Sequence, residues 1–400
     1  MSNTKKNGFK TIKTTDQLSA ERKKQLMDYK KKKATYVIIA IFVIIMLAVS
    51  VKLMYELRSF DSYEVKSSIE RSTTGIRKYT NFLDYLLEYS NDGISCKGTN
   101  GEIIWNQSFE MMSPEIEICG EYIVVYDAGG SKLLILTEGG LQKSIETSSP
   151  IQTVCIAKQG TVAVLMKEGQ ESQVKLFDTK GNALAHGKFY GDKGGFPIDI
   201  ALSQDATKLA VDMVNVSEGA VSTTISFYNF DKVGQSEIDN NVGTYTLDGV
   251  FIPEIDYVSD SRMIAIGTGN ILIFEGAQRP ELAREIPVEK EILSYFHNDD
   301  YIGFVYDDIE KENSWHLKVV DMYGHSKMQN TISILYDSIE FLSNGEICVT
   351  GSNECEIFTT HSIKKFSCIF DRELYKILSG KNKENYIFVF KDTIDEVKLK

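Results

Sequence analysis

The chain has 400 residues, of which 56 are Asp or Glu and 44 are Lys or Arg, so its formal net charge is −12. Hydrophobic residues make up 42 % of it. Residues 1–33 have a net charge of +8, and residues 34–400, with 33 basic and 53 acidic residues, have −20. This acidity argues against nucleic acid as a partner, because phosphates would be repelled, and against anionic wall polymers without bridging cations.

Residues 1–33 are predicted to form a basic cytoplasmic tail. The stretch 14–33 reads as a helix that continues into the next segment, with Thr15 or Asp16 near its cap. Its lysines either contact anionic lipid headgroups or a cytoplasmic partner, or only set the membrane topology.

Residues 34–55 are predicted to be a transmembrane signal anchor. The eighteen residues from Ala34 to Val51 contain no charge, and with the following residues they are long enough to cross a bilayer. Because basic residues mark the cytoplasmic side, the remainder of the chain is expected outside the cell membrane. A signal peptide cleaved after Ser50 is the alternative, but the apolar run exceeds the usual 7–15 residues of a signal core. A buried core helix is a further alternative.

A repeat occupies the remainder of the chain. Eight apolar or alternating tetrapeptides, each but the last followed by a polar turn, recur at steps of 38 to 51 residues; they end at 97, 136, 177, 228, 274, 320, 358 and 399. Around VKLF the period contains four strand signals: IQTVCIA, TVAVLMK, VKLF and NALAHGK. Four short antiparallel strands per repeat, here termed a to d, indicate a propeller blade. We therefore predict an all-β propeller over residues 78–400 with eight four-stranded blades, or seven if one terminal period is incomplete.

The juxtamembrane segment, residues 56–77, is expected to close the ring. The last period supplies only three strands, ELYKIL, NYIFVFK and EVKL, whereas residues 61–70 (DSYEVKSSIE) alternate without a partner of their own. We predict that residues 61–70 form the missing outer strand, since pairing removes two exposed edges. The face that carries the a-to-b and c-to-d turns should then look toward the membrane.

Three long connections are expected on the opposite face and are candidate binding loops: residues 214–222, 240–249 and 307–314. The last contains four acidic residues: Asp307, Asp308, Glu310 and Glu312. These acids form either a solvated loop or a weak contact for a cation or a basic partner.

Short motifs carry a resemblance to known propellers. DIALSQDATKLAV (199–211) and IEFLSNGEICVT (339–350) resemble the a-to-b hairpin of WD-type and quinoprotein-like propellers, and TNGEIIWN (99–106) resembles a quinoprotein-like turn. Ala206 stands where these families have a turn glycine, and the chain has no Trp-Asp dipeptide. As a whole, the chain is similar to an uncharacterised family of single-pass bacterial membrane proteins with an extracytoplasmic propeller. The resemblance implies the architecture and no particular activity.

No motif for catalysis, metal or cofactor binding is found, so no catalytic, cofactor-binding or metal-binding residue is predicted and no cofactor is expected. The cysteines are scattered without zinc spacing: Cys96, Cys119, Cys155, Cys348, Cys355 and Cys368. Cys348 and Cys355 can face each other across strands b and c, so the sequence does not decide whether they form a disulfide. The histidines are isolated: His186, His297, His316, His325 and His361. Two tryptophans are too few for the regular tryptophan docking motifs of quinone-dependent propellers.

The sequence therefore favours a non-enzymatic, membrane-anchored binding or scaffolding module with a protein or glycan partner in the cell envelope. One alternative is a transmembrane sensor that relays outside binding to the basic tail. The other is an extracytoplasmic hydrolase or lyase, which close inward carboxylates with a raised pKa in the channel would favour.

Overall fold

The computed structural model describes residues 15–71, 75–98, 100–217, 219–288, 290–307 and 314–400. It divides into two compact units, Met1–Arg58 and Ser59–Lys400.

The first unit contains one helix, α1 (Thr15–Glu56), which has no glycine or proline to interrupt it. All side chains from Tyr36 to Val51 are exposed. The part Arg22–Val51 is long and apolar enough to cross a membrane, judged by length and composition.

The second unit consists of eight four-stranded antiparallel sheets. This confirms the predicted all-β propeller with eight blades and not seven. Blades 1 to 4 comprise β2 (Lys78–Phe82), β3 (Tyr85–Ser90), β4 (Gly93–Lys97), β5 (Ile103–Ser108); β6 (Pro114–Cys119), β7 (Tyr122–Asp127), β8 (Lys132–Thr137), β9 (Gly140–Glu146); β10 (Ile151–Ile156), β11 (Val162–Glu168), β12 (Glu171–Phe177), β13 (Ala183–Tyr190); and β14 (Phe196–Leu202), β15 (Lys208–Ser217), β16 (Ala220–Asn229), β17 (Asn241–Asp248).

Blades 5 to 8 follow the same order. They comprise β18 (Glu254–Ser259), β19 (Arg262–Ile266), β20 (Asn270–Glu275), β21 (Glu281–Pro287); β22 (Ser294–His297), β23 (Tyr301–Asp307), β24 (Trp315–Asp321), β25 (Ser326–Ile332); β26 (Ser338–Phe341), β27 (Ile347–Thr350), β28 (Glu354–Phe358), β29 (Lys364–Ile369); and β30 (Leu374–Ser379), β31 (Asn385–Phe390), β32 (Thr393–Leu399) with β1 (Tyr63–Glu70). Two short helices, α2 (Gly191–Gly194) and α3 (Lys232–Gln235), and a 3-10 turn (Ile238–Asn240) lie between strands.

The outer strand of blade 8 comes from the beginning of the propeller unit. β1 pairs antiparallel with β32, with Tyr63 opposite Leu399 and Glu70 opposite Thr393. Just before this strand, the N–H of Phe60 donates to the carbonyl of Lys365 at 2.8 Å in blade 7. The two ends of the unit are therefore held in one sheet, and the ring has no unpaired edge at its seam.

The first strand of each blade is the inner one. β6 contacts β10, β10 contacts β14, β14 contacts β18, β22 contacts β26, and β30 contacts β2. Apolar side chains fill the space between neighbouring blades, for example Phe227 of blade 4 against Phe274 of blade 5, whose ring centroids are 5.1 Å apart. The inner strands surround a central channel. The face where β32 ends and β1 begins, which also carries the a-to-b and c-to-d turns, is here called the closure face.

The loop predictions were partly wrong. Residues 240–249 are not a connection but almost entirely strand β17, because TYTLD alternates and pairs with β16. Most of the predicted loop at residues 214–222 is strand as well, because β15 and β16 stay paired as far as Ser217 and Ala220. Of the acidic loop, Asp307 ends β23, and residues 308–313 lie outside the described residues. The longest c-to-d connection is instead residues 230–240 on the closure face.

Candidate functional site

The inner strands bring six acidic side chains to the central channel. They are contributed by four blades: Glu115, Glu117, Asp199, Glu254, Asp256 and Glu340. Only three basic or potentially basic side chains lie on the same strands: Lys78, His297 and Lys376. The channel lining therefore has an excess of negative charge.

Three of the six acids have a basic partner. Lys78 Nζ lies 2.9 Å from Glu115 Oε1, and Lys376 Nζ lies 2.8 Å from Glu340. His297 Nε2 lies 3.2 Å from Glu254 Oε1. These pairs account for the channel-lining charges of blades 1, 6, 7 and 8 and for part of those of blades 2 and 5.

The other three acids have no such partner. Among the described residues no lysine or arginine forms an ion pair with Glu117, Asp199 or Asp256, and Asp256 has only a long contact, 3.9 Å from its Oδ2 to Nδ1 of His297. We call these three residues together with Glu254 and His297 the acidic channel cluster. It joins blades 2, 4, 5 and 6.

The carboxyl pKa values reflect this lack of partners. Removal of surrounding water by the channel walls, and then the charges of Asp256 and Asp199, raise the pKa of Glu117 to about 8. Burial likewise raises the pKa of Asp199 to about 7, although its Oδ2 accepts the N–H of Ile255 at 2.9 Å. Burial also raises the pKa of Asp256. Near neutral pH the cluster thus holds both protonated and ionised carboxyls.

His297 and Glu254 form a hydrogen-bonded pair. Burial opposes a charge on His297, but the hydrogen bond to Glu254 and the nearby charge of Asp256 outweigh it and raise the pKa of the imidazole. Burial opposes ionisation of Glu254 as well, yet its hydrogen bonds with His297 and Tyr295 lower the pKa of that carboxyl. Each group therefore favours the charged form of the other.

A further carboxyl lies behind Asp199. Asp212 on β15 is the direct cross-strand neighbour of Asp199 on β14 and is fully buried, with an exposed fraction of 0 %. No side-chain donor reaches either of its oxygens. Burial and the charge of Asp199 raise the pKa of Asp212 to about 8, more than the adjacent N–H of Met213 lowers it. The blade 4 side of the cluster is therefore a pair of carboxyls without a counter-charge.

The cluster is suited to receive a positive charge. Water reaches it, since the side chains of Glu254 and Asp256 are 37 % and 44 % exposed. A cationic group inserted there would meet carboxylates that the protein itself leaves unpaired, in surroundings where Coulomb attraction is stronger than in water. Within the described ranges, no group of three or more His, Cys, Asp or Glu side chains is arranged to hold a metal ion.

The sequence contained a weak signal for this cluster. Acidic and apolar residues alternate in the first strands of blades 2 and 5, EIEI and EIDY, and Asp199 lies between isoleucines in blade 4. Of the five histidines only His297 belongs to the cluster. The distances along the chain, from residue 117 to 297, match no local motif, so only closure of the ring brings these residues together.

The six cysteines are free thiols. Cys348 is not directly opposite Cys355, because the tight turn at residues 351–353 sets a register that pairs Cys348 with Ile357 and Cys355 with Thr350. Cys355 lies instead opposite Cys368 on β29. Burial raises the pKa of Cys96 to about 11 and those of Cys155 and Cys348 well above their usual value.

Comparison with solved structures finds proteins of similar fold. BamB from Moraxella catarrhalis shares 15 % sequence identity and a TM-score of 0.50, with 85 % of this chain and 98 % of that chain covered. Sqt1 from Saccharomyces cerevisiae shares 10 % identity and a TM-score of 0.53, with 85 % and 99 % covered. At such identities the likeness concerns the fold alone. No match to the chain is found among curated proteins.

The model of one protein family, described as a family of unknown function (DUF5711), matches residues 56–399. The match begins at the end of α1 and includes every strand of the eight blades. Since it spans well over half of the chain, the protein belongs to this family of unknown function, DUF5711.

Proposed function

We propose that the protein is a membrane-anchored, extracytoplasmic binding or scaffolding module and not an enzyme. Its acidic channel cluster receives a positively charged side chain of a partner protein in the cell envelope. The observation that carries the proposal is that Glu117 and Asp199 have no basic partner among the described residues, on inner strands where other acids are paired.

The anchoring rests on charge and length. α1 provides the segment Arg22–Val51, with all its side chains from Tyr36 to Val51 exposed. Eleven basic residues among the first 33 favour a cytoplasmic N-terminus, because lysines and arginines concentrate on the inner side of a span. The propeller follows the span and would then lie outside.

Exposed apolar side chains favour a protein as the partner. Met112, Leu293 and Leu335 are 87 %, 46 % and 64 % exposed, on connections that lead from an outer strand to the inner strand of the next blade. They lie on the face opposite the closure face, around the mouth of the channel. A partner segment with apolar side chains beside a lysine or arginine would contact both the rim and the cluster.

An extracytoplasmic hydrolase is the second candidate. Neighbouring carboxyls with raised pKa values, such as Asp199 and Asp212, are the groups that general acid–base catalysis uses. Asp212 is fully buried, however, and cannot touch a substrate. This favours the binding function over catalysis.

Binding is tested with two fluorescent pentapeptides, one with arginine between leucines and one with citrulline in its place. The full chain in lipid nanodiscs at pH 8 should bind the arginine peptide at least about tenfold more tightly. Glu117→Gln and Asp199→Asn should remove this preference. Glu281→Gln on outer strand β21 makes the same charge change away from the channel and should keep it. Equal binding of both peptides would refute the cationic partner.

Topology is tested separately by protease treatment of intact cells that carry tags at Ser2 and Lys400. Digestion of the C-terminal tag with survival of the N-terminal one is expected. Protection of the C-terminal tag until lysis would place the propeller inside the cell and contradict the proposal, regardless of the result of the peptide-binding assay.

A further inference from the structure

A cavity separate from the channel lies between the outer parts of blades 3 and 4. Its volume is about 470 Å³, within the range of small-molecule sites. Strands β12, β13, β15 and β16 and the connection of residues 230–240 form its walls. None of the residues of the acidic channel cluster contributes to it.

The connection that forms one wall is unusual for this chain. It contains eleven residues, whereas the other c-to-d connections of blades 1 to 7 have two to five. Two consecutive non-glycine residues in it, Asp239 (φ 54°) and Asn240 (φ 58°), adopt the left-handed conformation. Such strain persists where surrounding structure holds it and is common in ligand-binding segments.

The cavity combines aromatic surface with polar groups. The rings of Phe189 and Tyr228 meet edge to face, with centroids 6.3 Å apart, and Phe230 lies on the same lining. Asp239 and Asn240 supply a carboxylate and an amide. Burial and, to a smaller extent, the charge of Asp239 raise the pKa of Tyr228. The carboxylate of Asp239 is therefore near the Tyr228 ring.

We propose that this cavity is a carbohydrate-binding site. A sugar ring has apolar C–H faces that pack on aromatic rings and hydroxyl edges that donate to a carboxylate and bond with an amide. A purely apolar ligand would make no contact that uses the carboxylate of Asp239 or the amide of Asn240, although both line the cavity. A sugar ring that packs on Tyr228 and Phe230 and hydrogen-bonds through its hydroxyls to Asp239 and Asn240 would contact both the aromatic and the polar part of the lining.

The probes are maltose, cellobiose and N,N′-diacetylchitobiose, each added to the full chain in lipid nanodiscs. Saturation-transfer difference NMR detects contact with the sugar C–H protons, and calorimetry gives the affinity. At least one disaccharide should bind, with the strongest transfer to its C–H faces. Absence of binding by all three overturns the proposal.

Two variants localise the site. Tyr228→Ala should weaken binding about tenfold or more, and so should Asp239→Gly, because each removes one kind of contact. Asp239→Gly should not lower the thermal midpoint, since glycine accepts φ 54° without strain, so a loss of binding in it is not a loss of folding. Tyr323→Ala, at an exposed tyrosine on the c-to-d turn of blade 6, is the control and should bind normally. Unchanged binding in Asp239→Gly would overturn the assignment.

Discussion

Asp199 and Asp212 lie directly opposite each other on the first two strands of blade 4, and neither forms an ion pair with a lysine or arginine of the described residues. Asp212 is fully buried, whereas Asp199 borders the channel. Ionisation of both carboxyls is unfavourable, because two adjacent negative charges repel each other strongly in low-dielectric surroundings. At least one of them therefore holds a proton near neutral pH. This relationship gives the fold a pH-dependent stability.

Asp212→Asn should remove much of that dependence. A carboxyl whose pKa is about 8 in the folded state and 3.8 otherwise binds more protons when folded, so its contribution to stability falls as pH rises from about 4 to about 8. The loss is on the order of 1.4 kcal/mol per pH unit within that window. The variant should therefore be closest to the parent at pH 4, the lower end of this window, and several kcal/mol more stable at pH 9, measured by chemical unfolding. Asp260→Asn, at an exposed turn, should follow the parent at both pH values.

Glu254→Gln should lower the pKa of His297. In the parent, the hydrogen bond to Glu254 helps to hold the imidazole pKa above 6.5, and without that charge burial dominates. The paired form contributes stability below pH 6.5 that disappears as pH rises through the folded pKa. NMR titration of the His297 ring protons measures the shift, and Glu281→Gln serves as the distant control. An unchanged titration midpoint in Glu254→Gln would contradict the pairing.

Tyr63→Ala should destabilise the propeller where β1 completes blade 8. Tyr63 on β1 packs against Phe366, Phe370 and Phe388, with ring centroids 6.3, 5.9 and 5.3 Å away. Loss of these contacts should destabilise the propeller by about 2–3 kcal/mol, seen as a lower thermal midpoint. Leu184→Ala removes a side chain that is 58 % exposed on outer strand β13 and should change stability by less than about 0.5 kcal/mol. Equal losses of stability in the two variants would show that the packing of β1 contributes little to the stability of the propeller.

Ala206→Gly should stabilise the protein by about 1 kcal/mol. Ala206 adopts φ 55° in the a-to-b turn of blade 4, a conformation that glycine accepts without strain. Gly345 occupies the corresponding turn of blade 7 at φ 80°, and a Cβ there would meet no atom within 4 Å. Gly345→Ala should therefore destabilise by a similar amount through backbone strain alone. Thermal unfolding of both variants measures the two opposite shifts, and shifts of the same sign would refute the argument.

Three of the six thiols should react slowly in the folded protein. Burial raises the pKa values of Cys96, Cys155 and Cys348, so the reactive thiolate is scarce at neutral pH. Titration with a thiol reagent should label all six cysteines in denaturant and these three only slowly without it. Fewer than six reactive thiols under non-reducing denaturation would indicate a disulfide, for which Cys355 and Cys368 are the cross-strand neighbours.

The repeat pattern was sufficient for the blades because strand alternation and turn residues are local properties of the chain. The hairpins at residues 199–211 and 339–350 lie where they were predicted. Residues 240–249 were mistaken for a loop, because their glycines and asparagines resemble turn residues although the segment pairs along β16. Local composition could not reveal that pairing.

By itself, the sequence determined the apolar N-terminal segment, the division of charge between the tail and the remainder, and a propeller of four-stranded blades. Each depends on composition or on period-2 alternation within a few neighbouring residues. Only the tertiary structure decided the acidic channel cluster and the cavity between blades 3 and 4. Residues as far apart as Glu117 and His297 become neighbours only when successive inner strands close around one axis, and strand register then decides which of their charges find a partner.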